Sequence, residues 1–254
     1  MTETRAMAFV NMYGVLGTLE NLCQLDDAAK KILGELKSPV SLCFSVKDGP
    51  CCTYHFTTTG CVMTEGDEGA TCKMHFSDCA AFNRLIDSSK PGIPVKNPIQ
   101  VISFLLGPFT KLTNRLNEVL RPSEEAMQDR AFFELSTTLT LYTIAGAISA
   151  LANEDSISRI SADYTVDGDI SLGIRDTAYV TLKVQDHKFR TLKSKAENPR
   201  AVMEFADLDL AAGLFSGKVS TINEMCKGTI RLRGMINMLD NVNRILDRVS
   251  VYLG

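Results

Sequence analysis

The chain of 254 residues has no tryptophan and only three histidines, His55, His75 and His187, set far apart. It contains neither Cys-x-x-Cys nor His-x-x-x-His. A metal centre needs converging ligands. Cys72, His75 and Cys79 are a poor substitute, and Cys51-Cys52 puts its side chains on opposite strand faces, so no metal and no cofactor are expected. Cys52 or Cys61 beside His55 lacks the third, orienting group that nucleophilic catalysis uses. Gly213-x-x-x-Gly217-Lys218 is followed by Val219-Ser220 and not directly by Ser or Thr, which excludes a phosphate loop. These absences leave no catalytic residue, and the chain is expected not to be an enzyme.

Charge of one sign is also missing. Twenty-seven basic residues face 30 acidic ones for a net charge of −3, with no basic tail or stripe. A nucleic-acid partner therefore has no electrostatic footprint. The N-terminus, Met1-Thr2-Glu3-Thr4-Arg5, has no basic region followed by an apolar core, so no secretory signal is read there. Seven of the eight cysteines lie between Cys23 and Cys79, mostly where small apolar residues would sit. They read as buried thiols of a reducing, cytoplasmic setting. Leu135 to Asn153 carries no charge and approaches the length of a membrane span. Its Ser and Thr content, and the lack of flanking Lys or Arg clusters and of a Trp belt, favour a buried helix.

What the chain does have is weak self-similarity. Met74-His75-Phe76-Ser77-Asp78 is echoed about half a chain later by Met203-Glu204-Phe205-Ala206-Asp207. Each feeds an apolar helical stretch, with Leu85 answering Leu214. The interval is too long for a solenoid repeat, so two copies of one unit are expected, over residues 1–120 and 121–254. Pro122 breaks the chain between them, and Ser123 is expected to cap the next helix.

In the first copy Phe9, Met12, Tyr13, Leu16 and Leu19 follow helical spacing. Alternation then marks strands at Val40–Val46, Cys52–Phe56, Gly60–Thr64 and Cys72–Phe76, with a hairpin at Asp48-Gly49. Asp78 caps a helix, residues 88–98 are loop, and Leu105, Leu112 and Leu116 form a helical stripe with a kink at Pro108. The second copy repeats this order. Phe132–Leu151 is helical, a hairpin is expected at Asp167-Gly168-Asp169, and alternation marks Ile170–Ile174, Val180–Val184, Phe189–Leu192 and Ala201–Phe205. Asp207 leads a helix, and Met235 to Val249 form a closing helix with one apolar face. The fold class is α+β, with antiparallel or mixed sheets covered by helices.

Residues 200–250 are the most specific. Asp207 to Lys218 leads through Leu214-Phe215-Ser216-Gly217-Lys218 and a spacer to Gly228-Thr229-Ile230-Arg231-Leu232-Arg233-Gly234. This pattern resembles the C-terminal part of the sterol carrier protein 2 family of sterol- and lipid-transfer domains, and the likeness extends back over strands from about residue 160. The first copy matches more loosely, without counterparts of Gly228 and Gly234. The resemblance implies two tandem units of that fold, with a cavity for a sterol, fatty acid or other lipid between sheet and helices. Leu214, Phe215, Ile222, Met225, Met235, Met238, Leu239 and Val242 are the candidates to line it, being soft or bulky apolar residues able to adapt to a long chain. A ligand-free interaction protein on the same fold is the alternative, with the Leu105, Leu112 and Leu116 stripe as its exposed patch. A homo-oligomer and transient membrane contact stay open.

Overall fold

The protein is seen in a computed structural model that describes residues 2–87 and 99–254. The loop expected over 88–98 lies outside them. Two compact units, Glu3–Leu135 and Ser136–Gly254, divide the chain.

The first unit opens with α1 (Thr4–Phe9), which passes through a π turn (Val10–Val15) and a 3-10 turn (Leu16–Thr18) into α2 (Leu19–Leu25). Met12, Leu16, Leu19 and Leu22 are buried along this path at helical spacing. Asp26 ends it by accepting a 3.0 Å hydrogen bond from the Ala29 amide, which caps α3 (Asp27–Gly34). Strands β1 (Val40–Val46), β2 (Cys51–Thr57), β3 (Gly60–Glu65) and β4 (Cys72–Phe76) then pair in the order β3-β2-β1-β4, with β1 and β4 parallel. Asp78 accepts a 2.8 Å hydrogen bond from the Ala81 amide at the start of α4 (Cys79–Asp87). Helix α5 (Ile99–Phe104) leads through a π turn holding Pro108 into α6 (Thr110–Leu120), so the expected kink is a local widening of the helix. The stripe expected to be exposed is not: Leu105, Leu112 and Leu116 are all buried. Ser123 caps only a 3-10 turn (Ala126–Gln128). The next helix, α7 (Arg130–Glu154), is capped by Asp129 through the Ala131 and Phe132 amides.

Helix α7 is long and apolar enough to cross a membrane, yet 78% of its apolar window is buried. In the second unit it is followed by α8 (Ser156–Asp163), which the sequence reading missed, and by β5 (Gly168–Ile174), β6 (Ala178–Gln185) and β7 (Lys188–Leu192). Then come β8 (Ala201–Phe205), α9 (Leu208–Phe215), α10 (Thr221–Lys227), β9 (Ile230–Gly234) and α11 (Ile236–Leu253). The sheet order is β7-β6-β5-β8-β9, with β5 and β8 parallel. The hairpin expected at Asp167-Gly168-Asp169 falls instead after β5, where Asp176 adopts a φ of +57°. Asp167-Gly168 only begins the strand. Both units are thus mixed sheets with helices on their apolar faces, the α+β class.

The units share one buried ion pair each. In the first, Arg115 of α6 reaches Asp26 with Nε and Nη2 at 2.9 and 3.0 Å. In the second, Arg248 of α11 donates to Asp155, the α8 cap, with its Nη2 3.0 Å from Oδ1. Asp155 has no exposed side-chain surface and also accepts from Tyr252 Oη at 2.6 Å and from the Ser158 amide and hydroxyl. Burial pushes its pKa up, but the hydrogen bonds from Arg248, Tyr252 and Ser158 outweigh burial and hold it down at about 2. A carboxyl pKa lower in the folded state than in the unfolded one, about 3.9, stabilises fully above that value; the contribution disappears as pH falls toward about 2. Asp155→Asn should therefore cost about 3 kcal/mol at neutral pH, because it leaves Arg248 charged and half-paired. It should also flatten the loss of stability between pH 5 and 3. Urea unfolding at both pH values tests this, and an equal acid loss in wild type and variant would refute it.

Candidate functional site

The candidate residues gather over one floor. Strands β8 and β9 pair antiparallel, with Met203 opposite Leu232 and Phe205 opposite Ile230. Helices α9 and α11 pack on β8, and α10 and α11 pack on β9. Met238, Leu239 and Val242 of α11 point inward and are buried. Leu214 and Phe215 of α9, Met225 of α10 and Met235, which precedes α11, are half-buried. The Phe215 ring stands edge-on to Phe205 with centroids 5.7 Å apart, a favourable aromatic geometry. Ile222 lies on α10, but its side chain lies outside the described part.

The glycines of the motif explain how these helices are aimed. Gly228 ends α10 at a φ of +74°, the left-handed cap that favours glycine. Gly234 has a φ of +83°, and a Cβ there would sit 2.0 Å from the Arg200 carbonyl oxygen. Only glycine lets β9 press against the start of β8 and turn at once into α11, where the Met235 amide donates to that same carbonyl at 2.9 Å. Asp207 starts α9 by accepting a 2.8 Å hydrogen bond from the Leu210 amide. At the end of α10, hydrogen bonds from Lys227 and then Thr229 keep the Glu224 carboxyl below the usual range. Its charge fastens the α10–β9 corner and is consumed there.

The two sheets can be compared node by node. Phe44 sits between Cys52 and Met74 as Leu172 sits between Val180 and Met203. Tyr54 opposite Leu42 corresponds to Leu182 opposite Ile170, and Phe56 opposite Cys61 to Val184 opposite Phe189. Counting from the capping aspartates, Phe82 on α4 corresponds to Ala211 on α9, and both are buried. The first unit therefore fills its centre with rings: Phe44 lies about 6 Å from Tyr54, Phe76, Phe82 and Phe109. The second has Leu172, Leu182, Val184 and Ala211 in the matching places, with Phe189 the exchange in the other direction.

A depression of about 310 Å³ lies not at α9–α11 but on the β6–β7 hairpin, lined by Lys183, Gln185, Asp186, Lys188, Phe189 and Arg190. Among the described residues, no cluster of His, Cys, Asp or Glu could hold a metal ion. The Asp155–Arg248 pair escaped the sequence reading, which gave the closing helix an apolar face and assigned Arg248 no partner. A usable signal was present, since Asp26 precedes Asp155 by the same interval that separates Met74 from Met203.

No family model and no curated protein sequence matches the chain. Solved structures similar to it include sterol carrier protein domain 2 of Helicoverpa armigera, at 14% identity and a TM-score of 0.35, over 44% of this chain and 88% of that one. A sterol carrier protein 2 crystal structure is 20% identical over 43% of this chain and 92% of its own, with a TM-score of 0.33. The UbiJ-SCP2 ubiquinone synthesis protein is 13% identical over 41% of this chain and 93% of its own, with a TM-score of 0.32. All three are domains of the kind that the glycine motif resembles, each matching a segment of this chain.

Replacement of Met238 by Asp should cost several kcal/mol, because the carboxylate would be buried without a partner. Ile236→Asp, two residues earlier and 63% exposed, should change stability by less than about 0.5 kcal/mol. Chemical denaturation of the two variants checks the inward aim of α11, and equal losses would contradict it.

Proposed function

We propose that the two units are tandem copies of one domain, and that the second binds an apolar ligand, a sterol, a fatty acid or another lipid, without catalysis. The ring-for-aliphatic exchange at matching nodes carries this reading. The first unit packs Phe44, Tyr54, Phe56 and Phe82 where the second has Leu172, Leu182, Val184 and Ala211. A centre of shorter side chains beneath the half-buried Leu214, Phe215, Met225 and Met235 can part to admit a chain, and the first unit has no such slack. Each methylene taken from water contributes about 0.8 kcal/mol, so an acyl chain needs no polar anchor. The eight free thiols support a reducing, cytoplasmic setting.

A ligand-free interaction protein is the second reading. Ile157, Ile160 and Tyr164 form an exposed apolar face on α8. A face of this kind, met by a second copy of the chain, would make a self-complementary pair. This reading expects a dimer by light scattering, broken by Ile160→Glu.

Met238→Phe separates binding from plain core packing. Where α11 borders ligand space, the variant keeps its melting temperature and binds a fluorescent fatty acid more weakly than delipidated wild type. Where Met238 is core alone, overpacking costs roughly 1–3 kcal/mol. Failure of the delipidated wild type to take up any fatty acid or sterol would refute the carrier reading.

A further inference from the structure

The open face of the second sheet carries an arrangement that the apolar side does not explain. Across β6–β7, Lys183 stands directly opposite Arg190, and Lys188 opposite Gln185, while on the β5 side Asp169 stands opposite Lys183. Like charges facing each other across a strand pair weaken that pairing. The three cations are exposed, and none has an ion-pair partner among the described residues. They border the depression of about 310 Å³ with Asp186 as its only carboxylate, which leaves an excess of positive charge.

The ribbon is held rigidly. Asp186 and His187 turn it at φ values of +50° and +59°, the geometry of a tight two-residue hairpin. His187 Nδ1 donates to the Thr165 carbonyl at 3.2 Å. The Asn153 side chain of α7 donates to the Phe189 carbonyl at 2.8 Å and accepts from the Phe189 amide at 3.0 Å. These contacts fix the backbone that carries the cations, so little order need be lost when a ligand arrives. The matching pairs in the first sheet are His55 opposite Val62 and Thr57 opposite Gly60. The cations belong to the second unit alone.

We propose that Lys183, Lys188 and Arg190 form a binding site for a phosphate group. An arginine fork and two ammonium groups suit its several oxygens, and the ligand's charge would relieve the Lys183–Arg190 repulsion. The phosphate belongs either to a lipid headgroup or to a soluble ester. The site lies on the sheet face opposite α9–α11, so it stands or falls independently of the apolar-ligand reading.

The full chain is tested in two arms. Melting temperature is measured in inorganic phosphate against chloride at matched ionic strength. Flotation is measured with phosphatidylcholine vesicles with and without phosphatidylglycerol. Because phosphate raises melting temperatures generally by exclusion from protein surfaces, a response is the part that the double variant Lys183→Gln with Arg190→Gln lacks. A response to phosphate alone supports a soluble ligand, and one to phosphatidylglycerol alone, or to both, supports a headgroup. The double variant Lys183→Gln with Arg190→Gln should lose at least about tenfold in affinity. In phosphate-free buffer it should melt close to wild type, because the Lys183–Arg190 repulsion and the Lys183–Asp169 attraction go together. Lys188→Gln, which faces Gln185 and not a charge, should also weaken the response. No response from wild type in either arm, or an undiminished response from the double variant, would each overturn the proposal.

Discussion

Each unit is closed by one carboxylate that serves two elements. Asp26 caps α3 and receives the Arg115 guanidinium of α6, while Asp155 caps α8 and receives Arg248 of α11. The closing helix is remote in sequence from the helix it fastens, and the strands lie between them. A cap alone orients one helix end; a guanidinium on the same carboxylate also sets where the last helix crosses. In the second unit this anchoring decides where Met238, Leu239 and Val242 point. The apolar face thus depends on a polar contact at the far end of α11. Burying such a charge is costly unless every partner is present, and at Asp155 the tyrosine hydroxyl and the Ser158 groups complete the set.

The strands were legible in the sequence because period-two alternation survives translation directly into burial. Leu42, Phe44 and Val46 face the core, and so do Val180, Leu182 and Val184. Asp78 and Asp207 were legible as caps for a similarly local reason. Less local features were not. The run Ser156–Asp163 mixes serine, isoleucine and charge, and its helix is held by Asp155 and by packing on α11, neither visible in a short window. β9 was hidden inside a glycine motif whose spacing was clear while its conformation was not. The stripe of Leu105, Leu112 and Leu116 was visible as a stripe, but periodicity cannot say whether solvent or a core meets it. The candidate residues were found as a set, since their spacing marks helix faces. Their division into buried and half-buried members required the floor of β8 and β9.

The same backbone register carries two different interiors. Rings that touch at about 6 Å interlock and resist opening, so the first unit's centre is a fixed block. Aliphatic side chains at the matching nodes, Leu172, Leu182, Val184 and Ala211, lack that ring-on-ring locking. On the proposed reading, stability and ligand access are opposed at those positions. The first unit lacks a fifth strand among its described residues, and with it the glycine corner that aims α11.

That corner links the two faces of the second sheet. Gly234 brings β9 against Arg200 at the start of β8 and delivers the chain to α11 on the apolar side. On the other face, β6 and β7 expose Lys183, Lys188 and Arg190. Alternation along a strand separates these chemistries by one residue: Phe189 is buried under the helices while its neighbours Lys188 and Arg190 face water. A sheet of this kind can keep an apolar surface and a charged one apart without a second domain.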